Sequence, residues 1–226
     1  MTDVRTDAST QAREQILAKV RAALRDVPDV PAEQDTPVPW EYGQVRPMED
    51  LLDRFIDRII DYKAQLVRVG PDEVATAVLD ALKAHGVGSV VLPTGVPGQW
   101  REAIEGDGIR VVSDEPQLSN AELNEVESVV TAAAVAGAET GTIVLDHGPD
   151  QGRRALSLVP DVHVCVVRAD QVVTDVPEMV PRLQDAIRSG RPLTWISGGS
   201  ATSDIELNRV EGVHGPRHLY VVLAEG

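Results

Sequence analysis

The chain has 226 residues, 36 of them acidic against 21 Lys and Arg, for a formal charge of −15. That balance excludes ordinary nucleic-acid binding and attraction to an anionic membrane. One cysteine, Cys165, excludes a disulfide framework and an iron–sulfur cluster held by this chain, which usually takes four thiolates.

Nothing approaches the roughly 18 apolar residues of a membrane span. The N-terminal MTDVRTDAST carries no apolar signal core, so a reduced, cytoplasmic protein is the expectation. Only seven residues are aromatic, so the core must be aliphatic.

Residues 9–25 predict a helix with Ile16, Leu17, Val20, Ala23 and Leu24 on one stripe. Pro28, Pro31, Pro37, Pro39 and Pro47 make residues 26–47 an extended linker, so residues 1–25 form an arm. The folded domain is expected over residues 48–226. It opens with a helix carrying Leu51, Leu52, Phe55, Ile56, Ile59 and Ile60.

Short apolar strands then alternate with helices. Strands are expected at Leu66–Val69, Ser89–Pro93 and Ile109–Ser113, with helices at Asp72–His85 and Gln99–Glu105 between them. The run VVTAAAVAGA (Val129–Ala138) and TIVL read as strands around a turn. Further strands are expected at Asp161–Val167, Leu193–Ile196 and His218–Leu223. Asp175–Ser189 reads as one helix, capped by Asp175 and boxed by Glu178. Another short helix is expected from Ser203. This alternation is that of an α/β fold, a mostly parallel open sheet with helices on both faces.

Several clusters carry candidate chemistry. Ser197, Gly198, Gly199, Ser200, Ser203 and Asp204 follow a strand and precede the expected helix. Glycine backbone and a helix N-terminus there suit a phosphate or carboxylate, but the motif alone favours a plain capped turn. Glu139, followed by Thr140, Gly141 and Thr142, is the candidate catalytic carboxylate. A partly buried Glu has a raised pKa and serves as acid, base or nucleophile; the alternative is a solvated turn. Arg153 and Arg154 form a compact cationic spot suited to two-point anion binding, or merely balance nearby acids. His-Gly-Pro occurs twice, at His147 and at His214, the latter followed by Arg217. These are candidate proton-handling or ligand-binding turns, and their spacing makes no metal motif. His163 and Cys165 lie within a strand and read as core.

Three ordered segments then stand out: AETGTIVLDHGPDQGRRALSLVPDVHVCVVRADQVV, PLTWISGGSATSDIE and VEGVHGPRHLYVVL. Together they resemble the lactate utilization protein C family, built on the LUD domain. The resemblance covers residues 48–226 and is densest from Gly137 onward. Gly199 departs from it, standing where many members carry Pro.

The resemblance implies a fold like that of glucosamine-6-phosphate deaminase, ribose-5-phosphate isomerase and CoA transferases, which bind anionic ligands at strand ends. It also implies a part in oxidising L-lactate to pyruvate beside cysteine-rich iron–sulfur partner proteins. With one Cys and no flavin or nicotinamide fingerprint, the chain is expected to leave the redox centres to those partners. It would hold a small anion in a pocket near Glu139, Arg153 and Ser200. Two alternatives stay open: a self-sufficient isomerase or CoA-transferase-type enzyme, and a non-catalytic interaction protein working through its arm.

Overall fold

The computed structural model describes residues 4–27, 30–31, 34, 37, 43–203, 209–212 and 214–226; of residues 4–9, 201–203 and 209–211 it describes the backbone. The chain divides into two compact units, Met1–Tyr42 and Gly43–Gly226. In the first, helix α1 (Val4–Ala23) begins before the expected Ser9 and leaves Ile16 and Val20 of its apolar stripe exposed.

The second unit is built on a six-stranded sheet. Its strands are β1 (Gln65–Val69), β2 (Ser89–Val91), β3 (Arg110–Val112), β4 (Ser128–Ala132), β7 (Val162–Arg168) and β12 (His218–Ala224). They lie in the order β1-β12-β7-β4-β2-β3, and every neighbouring pair is parallel. Parallel strands need long crossovers, which cover both sheet faces and demand apolar residues on each. Strands such as SVVTA and HLYVVLA meet that demand.

Side-chain alternation along β7 and β12 divides the core. Val162, Val164, Val166 and Val222 pack against α3 (Val74–Ala84) and α4 (Gly98–Gly106), through Val78, Leu82, Trp100 and Ile104. Cys165, Val167, Val221 and Leu223 face the other way, onto Phe55 and Ile59 of α2 (Leu51–Asp61). That face is shared with a second, four-stranded sheet. It holds β5 (Val135–Gly137), β6 (Thr142–Leu145), β8 (Val172–Val173) and β9 (Thr194–Ile196), in the order β8-β5-β6-β9. A short helix, α5 (Asn120–Asn124), covers the β2–β4 region through Leu123.

Two expected elements are corrected. The segment 175–189 is two helices, α6 (Val176–Arg182) and α7 (Gln184–Arg188). Pro181 sits in the last turn of α6, where it lacks the N–H a continuous helix would use. The Asp175 side chain makes no cap there. Glu178 Oε2 instead accepts from the Thr174 N–H (3.1 Å) and hydroxyl (3.0 Å), so the box sits one residue early. No helix starts at Ser203 either. Ser203 ends β10 (Ala201–Ser203), which pairs antiparallel with β11 (Arg209–Glu211).

Leu223 is fully buried between α2 and the sheet. Leu223→Ala should therefore lower unfolding free energy by about 2–5 kcal/mol, read as a shifted urea midpoint at unchanged slope.

Candidate functional site

From β2 the chain moves outward through α4 to the edge strand β3. It then crosses back past β2 to β4 and proceeds the other way, to β7 and β12. β2 and β4 are therefore neighbours from which the chain diverges. In open parallel sheets, ligands bind beyond the carboxyl ends of strands at such a switch point.

A crevice of about 640 Å³ lies there, lined by Thr94 from the loop after β2, Asp114 from the loop after β3, and His147, Gly152 and Arg153. The loop carrying these last three is tied to the end of β4 by Ala132 N–H donating to the Asp150 carbonyl (3.0 Å). It also touches the β2 loop, where Gly95 N–H donates to the Pro149 carbonyl (2.9 Å). A Cβ on Gly95 would lie 2.5 Å from the Pro149 carbonyl carbon, so only glycine fits.

His147 is held in the left-handed region, at φ 56°, a conformation L residues rarely adopt. Buried Gln151 keeps it there: its Oε1 accepts from the N–H groups of Asp146 and His147 (3.0 Å to the latter). The ring lies between two partners. Nδ1 is 2.9 Å from the Gly152 carbonyl, and Nε2 is 2.8 Å from Thr194 Oγ1. A carbonyl only accepts, so Nδ1 carries the proton. In the neutral ring Nε2 accepts from the Thr194 hydroxyl. Burial pushes the His147 pKa below its ordinary value, and the Arg154 and Arg191 charges push the same way.

Two arginines line the crevice, each held by an acid. Arg153 grips Asp114 in a fork, Nε to Oδ2 at 2.7 Å and Nη2 to Oδ1 at 2.9 Å, and reaches the Leu118 carbonyl. Arg191 Nη2 lies 3.0 Å from Asp146 Oδ2. Among the described residues Nη1 of both guanidiniums has no hydrogen-bond partner, so two fixed cationic donors remain for an anion. Burial pushes the Asp150 carboxyl up, and the Asp146 charge adds to this. No cluster of three or more His, Cys, Asp or Glu among the described residues is arranged to hold a metal ion.

The residues singled out in the sequence fall into separate places. Arg153 is in the switch-point crevice, and Arg154 is exposed beside it. Glu139 is exposed rather than partly buried. With Thr140 it lines a different cavity, of about 380 Å³, beside Arg58 and Tyr62. The Gly141 turn (φ 58°) presses on Arg58, whose Cβ would lie 2.6 Å from an added methyl.

Thr140, Thr142 and Ser197 form a hydroxyl chain with steps of 2.8 Å. Ser197, Gly198, Gly199, Ser200 and His214 line a third cavity, at the amino ends of β7 and β12, opposite the switch point. Ser203 lies in the β10 strand, and Asp204 lies outside the described residues. Arg217 pairs with Asp161 in a fork of 2.7 and 2.8 Å, which holds that carboxyl below its ordinary range. A single pocket near Glu139, Arg153 and Ser200 is thus not formed. The sequence points to His147 only as a His-Gly-Pro turn, and it gives no sign of Asp114 or Arg191. The first of the two His-Gly-Pro turns was the available signal.

A family model of the LUD domain matches residues 52–224. The chain is a member of the LUD-domain family. It is 53% identical over 174 residues to a "Lactate utilization protein C" of Deinococcus radiodurans, covering 77% of this chain and 79% of that protein. A Bacillus pumilus protein of the same name is 27% identical over 205 residues, covering 82% and 83%. The crystal structure of a DUF162 family protein from Deinococcus radiodurans superimposes with a TM-score of 0.68 at 44% identity, covering 80% of this chain and all of that one. The fold of this LUD-domain chain thus agrees with a solved relative.

Two predictions follow from the crevice of this LUD-domain member. Burial alone would raise the Asp114 pKa, but Arg153 and the Leu118 N–H hold it below the ordinary carboxylate value. Its stabilising contribution is complete above about pH 4 and is lost as pH falls through the folded value. Asp114→Asn should cost about 1–3 kcal/mol at pH 7, and the difference from wild type should shrink as pH falls below about 4. For His147 the sign reverses. The unfolded ring takes a proton that the folded ring refuses, so stability drops as pH falls below about 6.5. NMR of the His147 ring should give a titration midpoint below that value.

Proposed function

We propose that this chain serves lactate utilization as a ligand-holding subunit, with the electron-carrying iron–sulfur centres on partner proteins. The thiol inventory carries this reading. Lactate oxidation moves two electrons, and the chain's one thiol, Cys165, is fully buried between α2 and the sheet. Burial pushes that thiol up to about 12, despite the Thr131 hydroxyl 3.7 Å away, so it is no ready thiolate. The names of the Deinococcus and Bacillus relatives supply the pathway.

The ligand in this reading is a small carboxylate in the switch-point crevice. Its two oxygens meet the free Nη1 groups of Arg153 and Arg191, while neutral His147 lines the same space and adds no charge. A cationic pair matters more in a chain of charge −15, whose general field repels anions.

The test uses the purified chain and its co-purified proteins. The chain alone should reduce no dye with lactate. Fractions retaining iron and sulfide that co-elute with the tagged chain should do so. Arg191→Gln should weaken lactate protection against thermal unfolding without changing the melting temperature of the free protein by more than about 2 °C. Turnover by the isolated chain would overturn the division of labour. Unreacted Cys165 in native protein, with one equivalent of Ellman's reagent consumed after denaturation, checks the buried thiol.

A further inference from the structure

The cavity at the amino ends of β7 and β12 has a chemistry opposite to that of the crevice. Its volume is about 350 Å³, within the range of small-molecule sites. Among the described residues that line it there is no Asp, Glu, Lys or Arg. Tyr62, Leu158, Trp195 and Pro216 supply apolar wall, and Trp195 is 42% exposed. Ser157, His163 and Thr194 are at least nine-tenths buried and give the cavity polar points.

Hydrogen bonds show what Ser157 and the rim residue Ser200 can offer. Ser157 spends its proton on the Arg154 carbonyl (3.2 Å), so its oxygen remains an acceptor. Ser200 Oγ accepts from the His214 N–H (3.0 Å), so its proton remains a donor. One rim of a ligand can thus give a hydrogen bond and another can take one.

The mouth is fixed by two glycines. A Cβ on Gly198 would lie 2.8 Å from Tyr62 Cβ, and one on Gly199 would lie 2.3 Å from the Arg217 carbonyl oxygen. The Ser200 N–H is spent on the Pro216 carbonyl (2.7 Å). The loop is therefore preformed, and it runs directly into strand β10, which pairs antiparallel with β11.

We propose that this cavity is a second binding site, for an uncharged planar ring molecule with hydrogen-bonding groups on its rim. Aromatic and aliphatic walls accept the ring's faces, and the two serines meet its edge. An anion would enter a space with no Lys or Arg among the described lining residues and lose much of its hydration uncompensated. The site lies at the sheet edge opposite the crevice and stands independently of the lactate reading.

A matched pair of probes tests it on the full chain: 2-naphthol, neutral with one hydroxyl, and 2-naphthoate, the same ring with a carboxylate. Binding is read from the backbone amide signals of Gly198, Gly199 and Gly215, which report this cavity, and of Gly148 and Gly152, which report the crevice. Naphthol should move the first set saturably. Naphthoate should do so at least about tenfold more weakly, the equivalent of the desolvation cost of its charge. Ser200→Leu fills the cavity and Trp195→Ala removes a wall. Whichever retains the native amide spectrum should abolish or weaken the naphthol response. Equal or tighter naphthoate binding at the first set would overturn the proposal in favour of an anion site. No saturable response to naphthol, or a response unchanged in the folded variants, would also overturn it.

Discussion

Six parallel strands with both faces buried impose most of what this molecule does. No hairpin can join two of them, so every link is a crossover that must pack on a face. The crossovers supply α3 and α4 on one side. On the other, α2 shares the space with a whole second sheet. The diverging paths out of β2 and β4 leave a gap at the carboxyl edge that no crossover fills, and the crevice occupies it. The site is thus a product of topology before it is one of side chains.

Side chains then differentiate the two edges. At the carboxyl edge, paired charges dominate: Arg153 with Asp114, Arg191 with Asp146, and a strained, neutral His147 between carbonyl and hydroxyl. At the amino edge the cavity beside the Gly198–Gly199 loop is lined by rings, aliphatics and hydroxyls. The Thr194 hydroxyl belongs to both. It lines the uncharged cavity while bonding the His147 ring of the crevice.

The sequence disclosed the strands because a sheet buried on both faces requires unbroken apolar runs, and SVVTA, VHVCVV and HLYVVL are such runs. It concealed the second sheet. The step from β4 to β5 crosses from one sheet to the other through Ala133 and Ala134, with neither Gly nor Pro to mark it. The Gly198–Gly199 loop was misread because two glycines with Ser and Thr suit a helix cap and a hairpin approach alike. The strand that decides between them, β11, comes later in the chain. Ser119 and Glu122 do spell a capping box, realised by the Ser119 hydroxyl and the Glu122 carboxylate. The Arg153–Asp114 fork spans 39 residues, and no local pattern predicts such a pairing.

β12 is the last strand made and yet lies inside the sheet, between β1 and β7. β1, made first, has no partner other than β12 and must wait for it. As the chain is made, β2, β3, β4 and β7 can pair in turn, but β1 has no neighbour in this sheet until β12 follows. Until then the growing chain exposes the flank of β7. Loss of residues 218–226 would delete an interior strand of the sheet.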